Sequence, residues 1–142
     1  MRILEVNNRV INLEKVSTVK LDEVKGRIYF NMTFVTQNSS GIYIQDYVYV
    51  KYTPEILESI VSELNRSGTF IRYEANKWVN VTCISSMKLD EESSRIIMNL
   101  SNPHTYEFPH GKKVLAEFIY MENADNNTLK GIVEIMNIYG NI

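Results

Sequence analysis

The chain has one cysteine, three prolines, six glycines and two histidines in 142 residues, and each scarcity removes a class of explanation. With Cys83 alone, no internal disulfide can form, so the fold is no disulfide framework and a reducing compartment suits it. Few prolines, with 44% hydrophobic against 23% charged residues, set disorder aside and describe a folded chain. His104 and His110 both fall in "PHTYEFPHG". Without other cysteines, or carboxylates at ligand spacing, they read as loop residues rather than a metal centre or an acid–base pair. Gly111-Lys112 lacks the glycine frame that precedes the lysine of a P-loop, and no nucleophile elbow occurs.

No window approaches the roughly 18 consecutive apolar residues that a membrane span needs. The opening "MRILEVNNRVINLEK" carries charge and amides too early for a signal peptide, so a cytoplasmic location is expected. Six Asn-X-Ser/Thr triplets, at Asn31, Asn38, Asn65, Asn80, Asn99 and Asn126, then read as coincidences of an Asn- and Ser-rich chain. A net charge of −2 steers the whole molecule only weakly toward polyanions, so any such binding must use a local patch. No cofactor, metal, small-molecule substrate or membrane partner is indicated, and the chain is expected not to be an enzyme.

What is present is a phrase written twice. Residues 11–32, "INLEKVSTVKLDEVKGRIYFNM", align at a shift of 68 with residues 79–100, "VNVTCISSMKLDEESSRIIMNL". Nine of the 22 positions are identical: Asn12/Asn80, Ser17/Ser85, Lys20/Lys88, Leu21/Leu89, Asp22/Asp90, Glu23/Glu91, Arg27/Arg95, Ile28/Ile96 and Asn31/Asn99. In "RIYFNMTFV" the apolar Ile28, Phe30, Met32 and Phe34 alternate with Arg27, Tyr29, Asn31 and Thr33, the period-2 signature of a half-buried strand. Ile96, Met98 and Leu100 keep the pattern, and Val19 and Leu21, with Met87 and Leu89, extend the apolar face upstream. "DEVKG" and "DEESS" carry hairpin-turn chemistry. A preceding short strand is expected in each copy, "RILEV" and "FIRYEA", turning at Asn7-Asn8 and Asn76-Lys77. A fourth strand follows in each, "IYIQDYVYVKY" from 42 and "VLAEFIYME" from 114.

The period then changes. Thr53 as N-cap, Pro54 at the first helical position, Glu55 in the first turn and Gly68 past the end frame a helix with an Ile56, Leu57, Ile60, Val61 and Leu64 stripe. Asp125 to Asn127 can cap a second helix striped by Leu129, Ile132, Val133 and Met136, with Gly131 inside it. The fold class expected is α+β: two tandem β-β-β-β-α repeats, 1–66 and 67–142, closing one shared core as one pseudo-symmetric body of antiparallel sheets with one helix per repeat.

The residues that stand out lie on the outer sheet faces. Alternation places Tyr43, Gln45, Tyr47, Tyr49 and Lys51 together on the fourth strand, beside Lys20, Arg27, Tyr29 and Asn31. The second copy offers a thinner version, Lys88, Arg95, Asn99, Phe118 and Tyr120. Rings on a rigid sheet can stack unpaired bases at roughly 1–3 kcal/mol each while nearby Lys and Arg meet phosphates, so single-stranded DNA or RNA is the expected partner. The same face could instead pack against the other repeat or a second subunit, since Tyr is a common strand residue. Cys83, where the other copy has Lys15, reads as a packing residue, and the acidic runs Asp22-Glu23 and Asp90-Glu92 as solvated turns.

The duplicated β-β-β-β-α plan, spanning nearly the whole chain, resembles the PUR-repeat and Whirly-type single-stranded nucleic-acid-binding proteins. That resemblance implies interlocked units, a homodimer, and a binding surface at Lys20, Arg27, Tyr29, Tyr47 and Tyr49 with Lys88, Arg95 and Tyr120. Separately, "TFIRYEANKWVNVTCISSM" (69–87) is similar to a passage of LytTR DNA-binding domains, which are single, basic units of strands.

Overall fold

Asn7 and Asn8, both left-handed at φ 50° and 63°, fold the chain back between strands β1 (Ile3–Val6) and β2 (Arg9–Asn12). A computed structural model describes residues 3–37, 39–41, 43–107 and 113–139, with the backbone alone at 34–37, 43–45, 102–107 and 113–117. After β2 the Asn12 Oδ1 accepts from the Glu14 N–H at 3.0 Å and starts a single 3-10 turn, Leu13–Lys15. Then follow β3 (Val16–Asp22), β4 (Arg27–Gln37), β5 (Tyr43–Lys51) and helix α1 (Pro54–Ser67). The second half repeats the order: β6 (Phe70–Glu74), β7 (Lys77–Asn80), a 3-10 turn over Val81–Cys83, β8 (Ile84–Asp90), β9 (Arg95–Glu107), β10 (Lys113–Met121) and α2 (Asn126–Tyr139).

The α+β class, with antiparallel pairing and two helices, is as expected, but each half holds five strands among the described residues rather than four. The missed strands are β2 and β7, only four residues long and too short for alternation to reveal. His104 lies on β9 rather than in a loop, while His110 and Ile42 lie outside the described residues, as do the side chains of Phe34, Tyr43 and Gln45.

Most of the repeated identities have a hydrogen bond or a burial behind them. Ser17 and Ser85 sit where the β3–β4 and β8–β9 registers shift, and each donates its hydroxyl to a carbonyl across the bulge: Asn31 at 3.1 Å, Asn99 at 3.0 Å. Asn31 and Asn99 answer with amide donations to Thr18 Oγ1 and Ser86 Oγ, both at 2.9 Å. Asp22 and Asp90 accept turn amides from Lys25 and Glu92 at 3.1 and 3.2 Å. Ile28 and Ile96 are both fully buried.

Both helices start as their sequences expect. Thr53 Oγ1 accepts from the Ile56 N–H at 3.3 Å, and Gly68, at φ 74°, closes α1. Asp125 Oδ1 accepts from the Thr128 N–H at 2.8 Å to open α2. Val133, expected in the buried stripe, is 41% exposed.

The strands divide into sheets of two (β1-β2), five (β5-β4-β3-β7-β6) and three (β10-β9-β8). The five-stranded sheet spans both halves, because β7 pairs with β3: Thr18 opposite Val79, Val19 opposite Trp78, Lys20 opposite Lys77. Successive β7 residues point to opposite faces, so Trp78 enters a first core with Val16, Val19, Ile28, Phe30, Ile60 and Leu64. Val79 enters a second core with Ile84, Ile96, Met98, Ile119 and Ile132. The single shared core expected from the sequence is thus two cores on either side of β7.

Candidate nucleic-acid interface

Cross-strand register assembles the first candidate face. Tyr49 on β5 lies opposite Tyr29 on β4, which lies opposite Lys20 on β3, which lies opposite Lys77 on β7. Tyr47 pairs with Asn31 one step along. The Tyr29 ring centroid is 5.9 Å from those of both Tyr47 and Tyr49, tilted by 54° and 47°. The Arg27 guanidinium carbon lies 4.3 Å from the Tyr49 centroid, a cation–π contact. A side-chain hydrogen bond with Tyr29, and then the field of Tyr49, hold the Arg27 pKa above its ordinary value. Tyr47 is 50% exposed and Tyr49 39%, so this face is not packed against the other half of the chain.

The second face follows the same register with different side chains. Tyr120 lies opposite Ile97, and Phe118 opposite Asn99. The Arg95 guanidinium carbon is 4.6 Å from the Tyr120 centroid, and Phe118 meets Tyr120 edge to face at 5.3 Å. Ile97 stands where the first face has Tyr29, which removes the central ring. Arg95 Nε is also 2.9 Å from Glu122 Oε1, so its charge is partly matched. Lys88 is exposed on β8 and lies opposite Ile97, as Lys20 lies opposite Tyr29.

Lys20, Arg27, Tyr29, Tyr47 and Tyr49 therefore gather on one face, and Lys88, Arg95, Tyr120 and Phe118 on another. Asn31 and Asn99, on the same faces, each donate one amide hydrogen across the bulge, to Thr18 Oγ1 and Ser86 Oγ. Lys77 was missed by the sequence reading: it reaches the first face only through the β3–β7 pairing, and it is paired with Glu74 at 3.0 Å. Cys83 is buried. Among the described residues, no three His, Cys, Asp or Glu side chains gather to hold a metal, and no helix is long and apolar enough to cross a membrane.

No family model matches the chain, and no curated protein matches it. Among solved structures it is similar to a chain described as a LytTr DNA-binding domain from Bacillus cereus, with a TM-score of 0.44 and 15% identity over 92% of this chain and 94% of that one. The expected likeness to PUR-repeat and Whirly-type proteins is corrected by this match and by the strands themselves, which form sheets of two, five and three rather than one four-stranded sheet per repeat.

Proposed function

We propose that the chain binds nucleic acid, single strands in preference to duplex, through the outer faces carrying Arg27, Tyr29, Tyr47, Tyr49 and Lys20 and, more weakly, Arg95, Phe118, Tyr120 and Lys88. It acts in the cytoplasm without catalysis, as one domain of two duplicated, pseudo-symmetric units, 1–66 and 67–142. The observation that carries this reading is the recurrence, at equivalent register positions, of an arginine seated on an exposed tyrosine with a second exposed ring, Tyr47 or Phe118, two residues before it on the same strand. A guanidinium lying over a ring can still turn N–H donors beyond its protein partners toward phosphate oxygens, and the neighbouring rings present π-faces that unstacked bases can use. Duplex DNA hides its base faces, which is why rings on a flat sheet favour single strands.

The test is fluorescence anisotropy of a labelled single-stranded oligonucleotide at low and moderate salt. Binding should weaken linearly in log–log salt plots, and the Lys20→Ala, Arg27→Ala, Lys88→Ala, Arg95→Ala combination should weaken it at least tenfold and flatten that slope. Absence of binding at low salt overturns the reading. If a Tyr47→Ala, Tyr49→Ala variant then changes the mass of the protein in light scattering, the face is a protein interface instead.

A further inference from the structure

Among the described residues, two strand edges are open although their counterparts are bonded to each other. In the internal junction, β7 of the second unit closes the β3 edge of the first. The counterpart of β7 is β2, and the counterpart of β3 is β8. Both lie at the margin of their sheets with no strand beyond them. The edges of β5 and β10, and of β1 and β6, are by contrast open in both units alike.

The apolar surfaces show the same deficit. Phe70 and Trp78, on one face of the β6–β7 hairpin, are 6% exposed each and complete the first core beside Val16, Val19 and Leu64. Their counterparts on the β1–β2 hairpin are Ile3 and Val10, paired with Asn12 and Glu5 as Phe70 and Trp78 are with Asn80 and Arg72. Ile3 is 48% exposed and Val10 66%. At the other end, Ile84, Met87 and Met136 are the counterparts of Val16, Val19 and Leu64. With Leu129 and Val133 they line an open cavity of about 360 Å³ where the first unit holds its Phe and Trp. The sizes are complementary: small lining with a large plug in the first unit, and adaptable Met lining facing a small Val and Ile plug.

The polar staples of the junction are also present in duplicate. Asn80 Nδ2 donates to the Val16 carbonyl at 3.0 Å, Asn76 Nδ2 to Glu23 Oε1 at 2.9 Å, and the Leu21 N–H to the Asn76 carbonyl at 2.8 Å. The shift of 68 turns these into Asn12 with Ile84, Asn8 with Glu91, and Leu89 with Asn8, the side-chain members retained without change. We propose that copies of this chain assemble head to tail, the β1–β2 hairpin of one copy pairing with the β8 edge of the next and filling the cavity beside it. The register copies the internal junction: Ile11 opposite Ser86, Val10 opposite Met87, Arg9 opposite Lys88. This is strand addition at a sheet edge, and because the two surfaces differ, it builds an open series or a ring rather than the symmetric homodimer expected from the sequence.

The test is the mass of the full chain by multi-angle light scattering from about 1 µM to about 1 mM, a range that covers weak to moderate affinities. Wild-type mass should climb with concentration, beyond a dimer. Val10→Lys blocks the hairpin face and Val133→Lys blocks the cavity, both at exposed positions, and each alone should remain monomeric. Their equimolar mixture should give a dimer and nothing larger, because each retains the surface the other has lost. Circular dichroism verifies folding, and Ser86→Lys on the exposed β8 face replaces Val133→Lys should the latter not fold. A wild type that stays monomeric throughout, association that both variants leave unchanged, or a mixture of folded variants that stays monomeric overturns the proposal. None of these readouts involves nucleic acid, so the result is independent of the oligonucleotide assay.

Discussion

Asn80 donates its side-chain amide to the carbonyl of Val16 at 3.0 Å, tying the start of the second unit to the start of β3. Its Oδ1 accepts from the Thr82 N–H at 3.1 Å and hydroxyl at 2.8 Å, so one buried amide both opens the 3-10 turn and closes the junction. Asn12 opens the equivalent turn, its Oδ1 accepting from the Glu14 N–H at 3.0 Å, but it is only half-buried.

Replacing Asn80 with alanine should therefore destabilise more than replacing Asn12. Asn80→Ala strips a turn cap and leaves a buried carbonyl without its donor, a loss of about 1–3 kcal/mol. Asn12→Ala removes only a cap at a half-buried site, about 1 kcal/mol or less. Urea unfolding at low micromolar concentration, where association is minimal, measures both. Equal losses would mean that the Val16 bond contributes nothing.

Two glycines should respond to alanine in opposite directions. Gly131 lies inside α2 with nothing within 4 Å of the place an added methyl carbon would take, so Gly131→Ala should raise stability by about 0.5–1 kcal/mol through helix propensity alone. Gly68 has φ 74°, and a Cβ there would lie 2.6 Å from the Tyr139 ring, so Gly68→Ala forces both backbone strain and a shift of that ring. A lower melting temperature for Gly68→Ala beside a higher one for Gly131→Ala is the expected pattern. Movement of both in the same direction would contradict it.

These contrasts show where local chemistry sufficed. Thr53, Pro54 and Gly68 announced α1 because capping is written in adjacent residues, and alternation in "RIYFNM" placed Tyr29 opposite the core because a strand's two faces are fixed by parity. The same parity brought Tyr47 and Tyr49 to the face that holds Arg27. The β3–β7 pairing was not legible: it joins segments about sixty residues apart through a four-residue strand, and Trp78 and Val79 are both buried because each enters a different core. With no strand expected at 77–80, nothing pointed to two cores, so the sheet that crosses the units, and Lys77 beside Lys20, came only with the fold. The weakness of the second face was readable, since Ile97 occupies the position of Tyr29.

Arg27→Lys separates charge from shape at the first face. Lysine keeps the positive charge but loses the planar group that lies 4.3 Å from the Tyr49 ring centre and the fork that grips phosphate. Oligonucleotide affinity should fall by roughly two- to fivefold, the equivalent of about 0.5–1 kcal/mol for an exposed cation–π contact, with the salt slope unchanged. An affinity left unchanged by Arg27→Lys would mean that charge alone matters there.

Asp125 makes the stability of α2 depend on pH in a definite direction. The Thr128 N–H, and then the Thr128 hydroxyl, hydrogen-bond the carboxylate and hold its pKa below the ordinary value, so the folded state favours the charged form. A carboxylate lowered in this way contributes stability that is fully present above the unfolded value near ~4 and disappears as pH falls through the lower folded value. Asp125→Asn keeps an oxygen acceptor for the cap but has no charge to set against the helix N-terminus. Wild type should therefore melt a few degrees above Asp125→Asn at neutral pH, and the gap should close as the buffer is taken below the folded pKa. A gap that stays constant across that titration would show that the cap works through hydrogen bonding alone, with no contribution from the charge.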